Sequence, residues 1–242
     1  MGIRENREEF VRAARFAINR RLVDSSALGV KYLGSRPNMR RLLPVPGSDL
    51  MIDGFPRSAN SYLFHAVRIS LPDVSLCGHT HSGAAVLRAA SNGVPAFIAL
   101  REPRACCASL VQYLGKYATL QESLRAYIRY FESFVDEIGP SVTYVSFESV
   151  TTSIDSVLVS VAGAIGAGPP QVVGDTLDIA VHEKLRERNL FYNKGSGRTI
   201  AGPTTYRRSA NEVWSGSTAA DQRLLAEAES LFGHIRNTYK VI

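Results

Sequence analysis

Residues 51 to 63 read MIDGFPRSANSYL, and the fold turns on how this stretch divides. Leu50, Met51 and Ile52 form an apolar run that reaches Gly54, and Pro56-Arg57-Ser58-Ala59-Asn60-Ser61 makes a small polar turn. Tyr62, Leu63, Ala66, Val67 and Ile69 then recur at helical spacing, so the order is strand, turn, helix. Such a turn aims backbone N–H groups and the positive end of a helix dipole at one point, which suits a phosphate or sulfate. Arg57 adds a mobile charge. Without a second feature the same residues also suit an ordinary tight strand-to-helix connection.

Set against the phosphate loop GxxxxGK[ST], Gly54 is the first position and Ser61 the last, but Ala59 stands for the second glycine and Asn60 for the lysine. Losing that lysine removes the cation that reaches the outer phosphates, so a magnesium-bound triphosphate fits poorly and a less charged anion fits better. A second stretch supplies the further feature. Residues 94 to 112, VPAFIALREPRACCASLVQ, give a buried strand from Ala96 to Leu100, then Arg101, then a helix carrying Ser109. An arginine at the carboxyl end of a strand and a hydroxyl two turns into the next helix can grip one further phosphate from two sides.

The loop GFPRSANSYL resembles the 5′-phosphosulfate loop, commonly YPKSGTTW, of sulfotransferases that use 3′-phosphoadenosine 5′-phosphosulfate (PAPS). REPRACCAS resembles their 3′-phosphate motif, RNPKDVAVS, with arginine and serine eight residues apart in both. The resemblance covers roughly residues 49 to 200. It implies a P-loop-like sulfotransferase fold, with PAPS as donor and the nucleoside bisphosphate PAP as product. Pro56, Arg57, Ser58, Ala59, Asn60 and Ser61 would hold the phosphosulfate, Ser58 and Ser61 offering hydroxyls to the sulfuryl oxygens. Arg101 and Ser109 would hold the 3′-phosphate. Tyr62 matches the aromatic position that stacks on adenine, and Phe147 in SFES matches the tyrosine of the FYED segment, although both also suit core aromatics. Phe191-Tyr192-Asn193-Lys194-Gly195 resembles FMRKG, which closes over the 3′-phosphate. Lys194 and Gly195 carry over, whereas Asn193 replaces the arginine, leaving Arg198, Arg207 or Arg208 to supply that charge or the stretch to act only as a lid.

A further strand ends in Gly78-His79-Thr80-His81. The comparable place in sulfotransferases often carries Lys-Thr-His, so His81 is the first candidate for the general base that deprotonates the acceptor. An imidazole with an unperturbed pKa near 6.5 is plentiful in its neutral form at pH 7. The competing reading makes His79 and His81 hydrogen-bonded strand-end residues. Two histidines without a third ligand make a poor metal site, and no metal is expected. His65 is the rival base, since it lies where sulfotransferases acting on heparan sulfate carry a catalytic glutamate, but a lone histidine on a helix also packs as a core residue.

Composition bounds the rest. The chain has 242 residues, 45% hydrophobic and 21% charged, enough for one substantial core. The expectation is an N-terminal helix and connector over residues 1 to 48, followed by a single domain over 49 to 242. A formal charge of +6 suits a polyanionic cofactor or an acidic acceptor, and no zinc-finger, RNA-recognition or basic-zipper pattern points to nucleic acid. No run of about 18 apolar residues marks a membrane span and the amino terminus is charged, so a cytoplasmic protein is expected. Cys77, Cys106 and Cys107 are too few for a disulfide framework. Residues 4 to 22 form an arginine-rich helix candidate, read as an appended surface helix at a homo-oligomer contact, with a membrane-surface anchor as the alternative. Residues 23 to 47 look like an irregular connector.

From residue 49 onward, strands and helices alternate: a helix from Ser61 to Leu71, a strand from Val74 to Cys77, and a helix from Ser82 to Ser91. After the Arg101 strand and its helix, Thr119 to Glu122 (T-x-x-E) caps a long helix running to the Gly139-Pro140 stop, and residues 142 to 147 make a strand. Helix candidates follow at 175 to 190 and from a Thr218-to-Asp221 cap onward. This alternation predicts an α/β fold, a central parallel sheet flanked by helices on both faces, with ligands collecting at the carboxyl ends of the strands. The expected function is transfer of a sulfuryl group from PAPS to an acceptor hydroxyl or amine on a sugar, lipid or small molecule. A P-loop small-molecule kinase and a non-catalytic nucleotide-binding protein are the alternatives.

Overall fold

The computed structural model describes residues 28 to 193 and 210 to 242 apart from Lys116 and residues 139 to 141, together with Val11, Ala14, Phe16 and Val23; at 188 to 193 and 210 it describes backbone only. The expected helix over residues 4 to 22 therefore lies almost wholly outside the described residues. Four strands, β1 (Leu50–Gly54), β2 (Leu76–Gly78), β3 (Ala96–Leu100) and β4 (Val142–Ser146), form one all-parallel sheet in the order β2-β1-β3-β4. Met51 pairs with Cys77 on one side and Ala96 on the other, and Ala96 pairs onward with Val142. Residues 240 to 242 lie parallel to the outer edge of β4, where Tyr144 N–H donates to the Lys240 carbonyl (2.9 Å) and Ser146 N–H to that of Ile242 (2.8 Å).

Both faces of the sheet are covered, which is why its strands are nearly continuous apolar runs. Met51, Ala96, Ile98, Leu100, Val142 and Tyr144 turn to one face, packing with helices Gly83–Ser91, Pro103–Leu114, Leu120–Glu132 and Ala219–Thr238. Leu50, Ile52, Phe97, Ala99 and Val145 turn to the other, against helices Asn60–Ser70, Ile154–Ile165 and Gly174–Asn193. The period-2 alternation of side chains along a strand makes this division unavoidable once the sheet is buried.

Several boundaries differ from the sequence reading. At Thr119 only half of the expected capping box forms: its hydroxyl accepts from Glu122 N–H, while the Glu122 carboxylate takes the Thr119 hydroxyl in place of its backbone N–H. The helix stops at Glu132, and Phe134, Val135 and Ile138 are buried in the turns that follow. Apolar spacing had extended that helix to residue 138. β2 is displaced to Leu76–Gly78. Residues 23 to 47 are more than an irregular connector: they contain short helices Gly29–Gly34 and Pro37–Arg40, and they place Leu33 and Leu43 in the core. Helices Phe147–Thr152 and Ile154–Ile165 were not expected. The last helix opens on a reciprocal box between Thr218 and Asp221, as its sequence indicates.

The chain leaves β1 for β2 on one side and then passes to β3 on the other. The crevice between the carboxyl ends of β1 and β3 is therefore the topological switch point, where open parallel sheets collect ligands.

Candidate functional site

Both anion motifs converge on that crevice. β1 ends at Gly54, whose lack of a side chain is required, since a Cβ there would stand 2.8 Å from the Ala99 carbonyl oxygen. The chain then turns through Phe55 and Pro56 into helix Asn60–Ser70, and the first amides of a helix have no carbonyl partner of their own. No acidic residue occupies the first turn of this helix to offset the positive end of its dipole.

Arg57 and Arg101, 44 residues apart, meet here. Arg101 Nη1 donates to the Arg57 carbonyl at 2.9 Å, and Arg57 Nε donates to Ser109 Oγ at 3.1 Å. Aromatic rings support both guanidinium groups: Phe147 lies 3.9 Å from that of Arg101, and Tyr113 lies 5.2 Å from that of Arg57. The Tyr127 hydroxyl donates to the Arg101 carbonyl (2.9 Å), fixing the backbone at the end of β3. Among the described residues no carboxylate pairs with Arg101. Two half-buried cations at a helix amino terminus have the chemistry that suits an anion of more than one charge.

The loop's hydroxyls divide. Ser58 is buried and donates to the Phe55 carbonyl at 2.6 Å, closing the turn rather than facing the crevice. Ser61 Oγ shares a hydrogen bond of 2.9 Å with His79 Nε2. Asn60, in the lysine's place, donates through Nδ2 to the Gly54 carbonyl (3.2 Å). His81 Nδ1 lies 2.8 Å from the same carbonyl oxygen, which can only accept, so Nδ1 carries the proton and Nε2 is the basic nitrogen. The 3.0 Å approach of Asn60 Nδ2 to Nδ1 is then two donors sharing one acceptor.

Of the remaining candidates, Tyr62 lies against helix Gly174–Asn193, its hydroxyl donating to Asp178 at 2.8 Å and its ring edge-on to His182. Burial and the Asp178 carboxylate both hold that phenol well above its ordinary pKa. His65 lies further along helix Asn60–Ser70, edge-on to Phe64, which stacks on His79 (5.4 Å, 28°). Lys194 and Gly195 lie outside the described residues, as do Arg198, Arg207 and Arg208.

Backbone strain gathers at the same place. Arg57, Ala59, His79 and His81 are the described non-glycine residues with positive φ (76°, 67°, 58° and 55°), and all four lie where β1 and β2 end. Residues with a Cβ take this conformation at a cost of roughly 1–2 kcal/mol each, and such costs cluster at functional sites. Ala59 occupies the glycine position of the phosphate-loop pattern and caps the helix in this left-handed state. Ala59→Gly is accordingly expected to raise stability by about 0.5–1 kcal/mol, read as a higher denaturant midpoint at unchanged slope.

Beneath the arginines lies Cys106, wholly buried, its Sγ 3.3 Å from the Pro56 carbonyl. Burial pushes this thiol up to about 12, only partly offset by the charges of Arg101 and Arg57. Burial likewise raises Cys77, to about 11, and raises Cys107 well above the usual thiol range. None of the three is thiolate at neutral pH, so iodoacetamide should label no cysteine in the native protein at pH 7.5 and all three in denaturant.

Sequence reasoning missed Asp53. It is fully buried and accepts from Gly54 N–H (2.7 Å), Thr80 N–H (2.9 Å), the Thr80 hydroxyl (2.6 Å) and His81 N–H (2.9 Å). One acidic residue in the otherwise apolar run LMIDG was the available signal. Among the described residues no group of three or more His, Cys, Asp or Glu is placed to hold a metal, and no described helix is long and apolar enough to cross a membrane. Compared with known proteins, the chain matches no family model, no curated protein and no solved structure.

Proposed function

We propose that this protein is a sulfotransferase that moves a sulfuryl group from PAPS to an acceptor hydroxyl or amine. The observation that carries the reading is the joining of the two anion motifs, Arg57 to Ser109 and Arg101 to the Arg57 backbone, at the switch point between β1 and β3. The residues present fit a nucleoside bisphosphate. The loop amides and Arg57 would hold the 5′ side, Arg101 and Ser109 the 3′-phosphate, with Phe147 keeping Arg101 in place. When bound, such a donor supplies an activated sulfuryl group and a phosphate leaving group.

This chain's own part is positioning and charge. His81 Nε2 takes the acceptor's proton as the new bond to sulfur forms, and Nδ1–H anchors the ring on the Gly54 carbonyl. Arg57 and the helix amides neutralise charge on the bridging oxygen, and they are already in place before reaction, which is where such groups are worth most. The scheme invokes no metal, because a sulfuryl group carries less charge than a terminal phosphoryl group.

The test is calorimetric titration of the full chain with adenosine 3′,5′-bisphosphate and, separately, with ATP and magnesium. Tight bisphosphate binding with weak ATP binding supports the reading. Preference for ATP with magnesium, or binding of neither, overturns it in favour of a kinase or a protein of another kind.

A further inference from the structure

Asp53 is wholly buried, and among the described residues no cation pairs with it. A buried carboxylate is costly unless its oxygens are satisfied, and here four donors satisfy them. Oδ1 accepts from the backbones of Gly54 and His81, and Oδ2 from the backbone and hydroxyl of Thr80. Three of the four bonds therefore run from β1 to the segment that follows β2. That segment is unusual: His79 and His81, on either side of Thr80, both have positive φ, and Gly78 before them has φ of 109°. The carboxylate thus holds the backbone just beyond β2 in this conformation, and the bond to His81 N–H presents that residue's ring to the Gly54 carbonyl.

We propose that Asp53 is a positioning residue that locks His81 in its Nδ1–H tautomer, leaving Nε2 as the proton acceptor. The catalytic consequence rests on the sulfotransferase reading; the tautomer lock does not. An amide cannot replace the carboxylate. Whichever way the side chain of Asp53→Asn lies, its NH2 faces at least one backbone N–H, either those of Gly54 and His81 or that of Thr80, although the Thr80 hydroxyl can turn to accept. The His81 backbone then leaves its strained conformation, Nδ1 leaves the carbonyl, and the ring reverts to the mixture of tautomers that an unanchored imidazole adopts.

The experiment is two-bond ¹H–¹⁵N correlation on the ¹⁵N-labelled full chain above pH 8, with the His81 ring assigned by its loss in His81→Asn. In the wild type the ring should be in the Nδ1–H form. Asp53→Asn should shift the tautomer ratio by about tenfold toward Nε2–H, and Thr80→Val, which deletes one of the four donors, by about threefold. A merely structural carboxylate would lower the melting temperature and leave the ratio unchanged. A wild-type ring in the Nε2–H form, or an unchanged ratio in the folded variants, overturns the proposal; should Asp53→Asn fail to fold, Thr80→Val decides alone. Titration with adenosine 3′,5′-bisphosphate on the same samples separates the two questions. A locked ring in a chain that binds no bisphosphate leaves the role of Asp53 standing and removes the sulfotransferase.

Discussion

Arg101→Ala is expected to weaken adenosine 3′,5′-bisphosphate binding by about 10- to 150-fold, the effect of losing a charge-assisted hydrogen-bonded contact worth roughly 1.5–3 kcal/mol. The side chain lies at the carboxyl end of β3, held between the Arg57 carbonyl and the Phe147 ring, with no carboxylate among the described residues to neutralise it. Its removal opens no cavity in either core, since the guanidinium sits at the crevice and the Tyr127 hydroxyl still finds the backbone carbonyl of residue 101. The melting temperature should accordingly stay within a few degrees of the wild type. Arg101→Lys should recover only part of the affinity, because an ammonium restores the charge without the planar fork that stacks on Phe147 and reaches two oxygens. Calorimetry on the three proteins at two salt concentrations checks this. Wild-type affinity in the alanine variant would remove Arg101, and with it the second motif, from the binding site.

His81→Asn should reduce the rate of bisphosphate release from the donor in the presence of acceptor by about 10²- to 10⁴-fold, the usual contribution of a positioned general base. Asparagine can still donate to the Gly54 carbonyl, so bisphosphate affinity should change by no more than about threefold, which separates loss of chemistry from loss of binding. The pH dependence follows from the proton's location. A protonated imidazole cannot accept the acceptor's proton, so kcat/KM should fall tenfold per unit as pH drops below the histidine's pKa and level off above it. His65→Asn serves as the contrast and should retain activity within about tenfold. If His65→Asn abolishes turnover while His81→Asn does not, the base lies on helix Asn60–Ser70 instead.

Much of the architecture was legible because parallel strands buried on both faces leave unbroken apolar runs. Ala96 to Leu100 was bounded to the residue, and β1 was set by Gly54 and the polar turn after it. The pairing of Arg57 with Ser109 and Arg101 was legible only as two motifs in the right order, since sequence does not state that β1 and β3 are neighbours. Helix Phe147–Thr152 escaped because SFESVTT is rich in residues that favour turns, although Ser146 caps it through a bond from Ser149 N–H. The overlong reading of the 120–132 helix shows apolar spacing persisting into turns that are themselves buried. The left-handed backbone at His79 and His81 was illegible, because nothing local favours it. The bonds that accompany it come from another strand, Asp53 accepting from Thr80 and His81, 27 and 28 residues later, and the Ile52 carbonyl accepting from His79 N–H.

That the bonds joining the two arginines and Ser109 span 44 and 52 residues has a practical corollary for fragment complementation. A cut between Asn92 and Pro95, in the turn before β3, would leave Arg57, Asn60 and His81 on one peptide and Arg101 and Ser109 on the other. Neither peptide alone could grip both ends of a bisphosphate, so ligand and peptide association would be thermodynamically linked, each strengthening the other by the same factor. Such a split chain would report a soluble nucleotide as the reunion of two polypeptides.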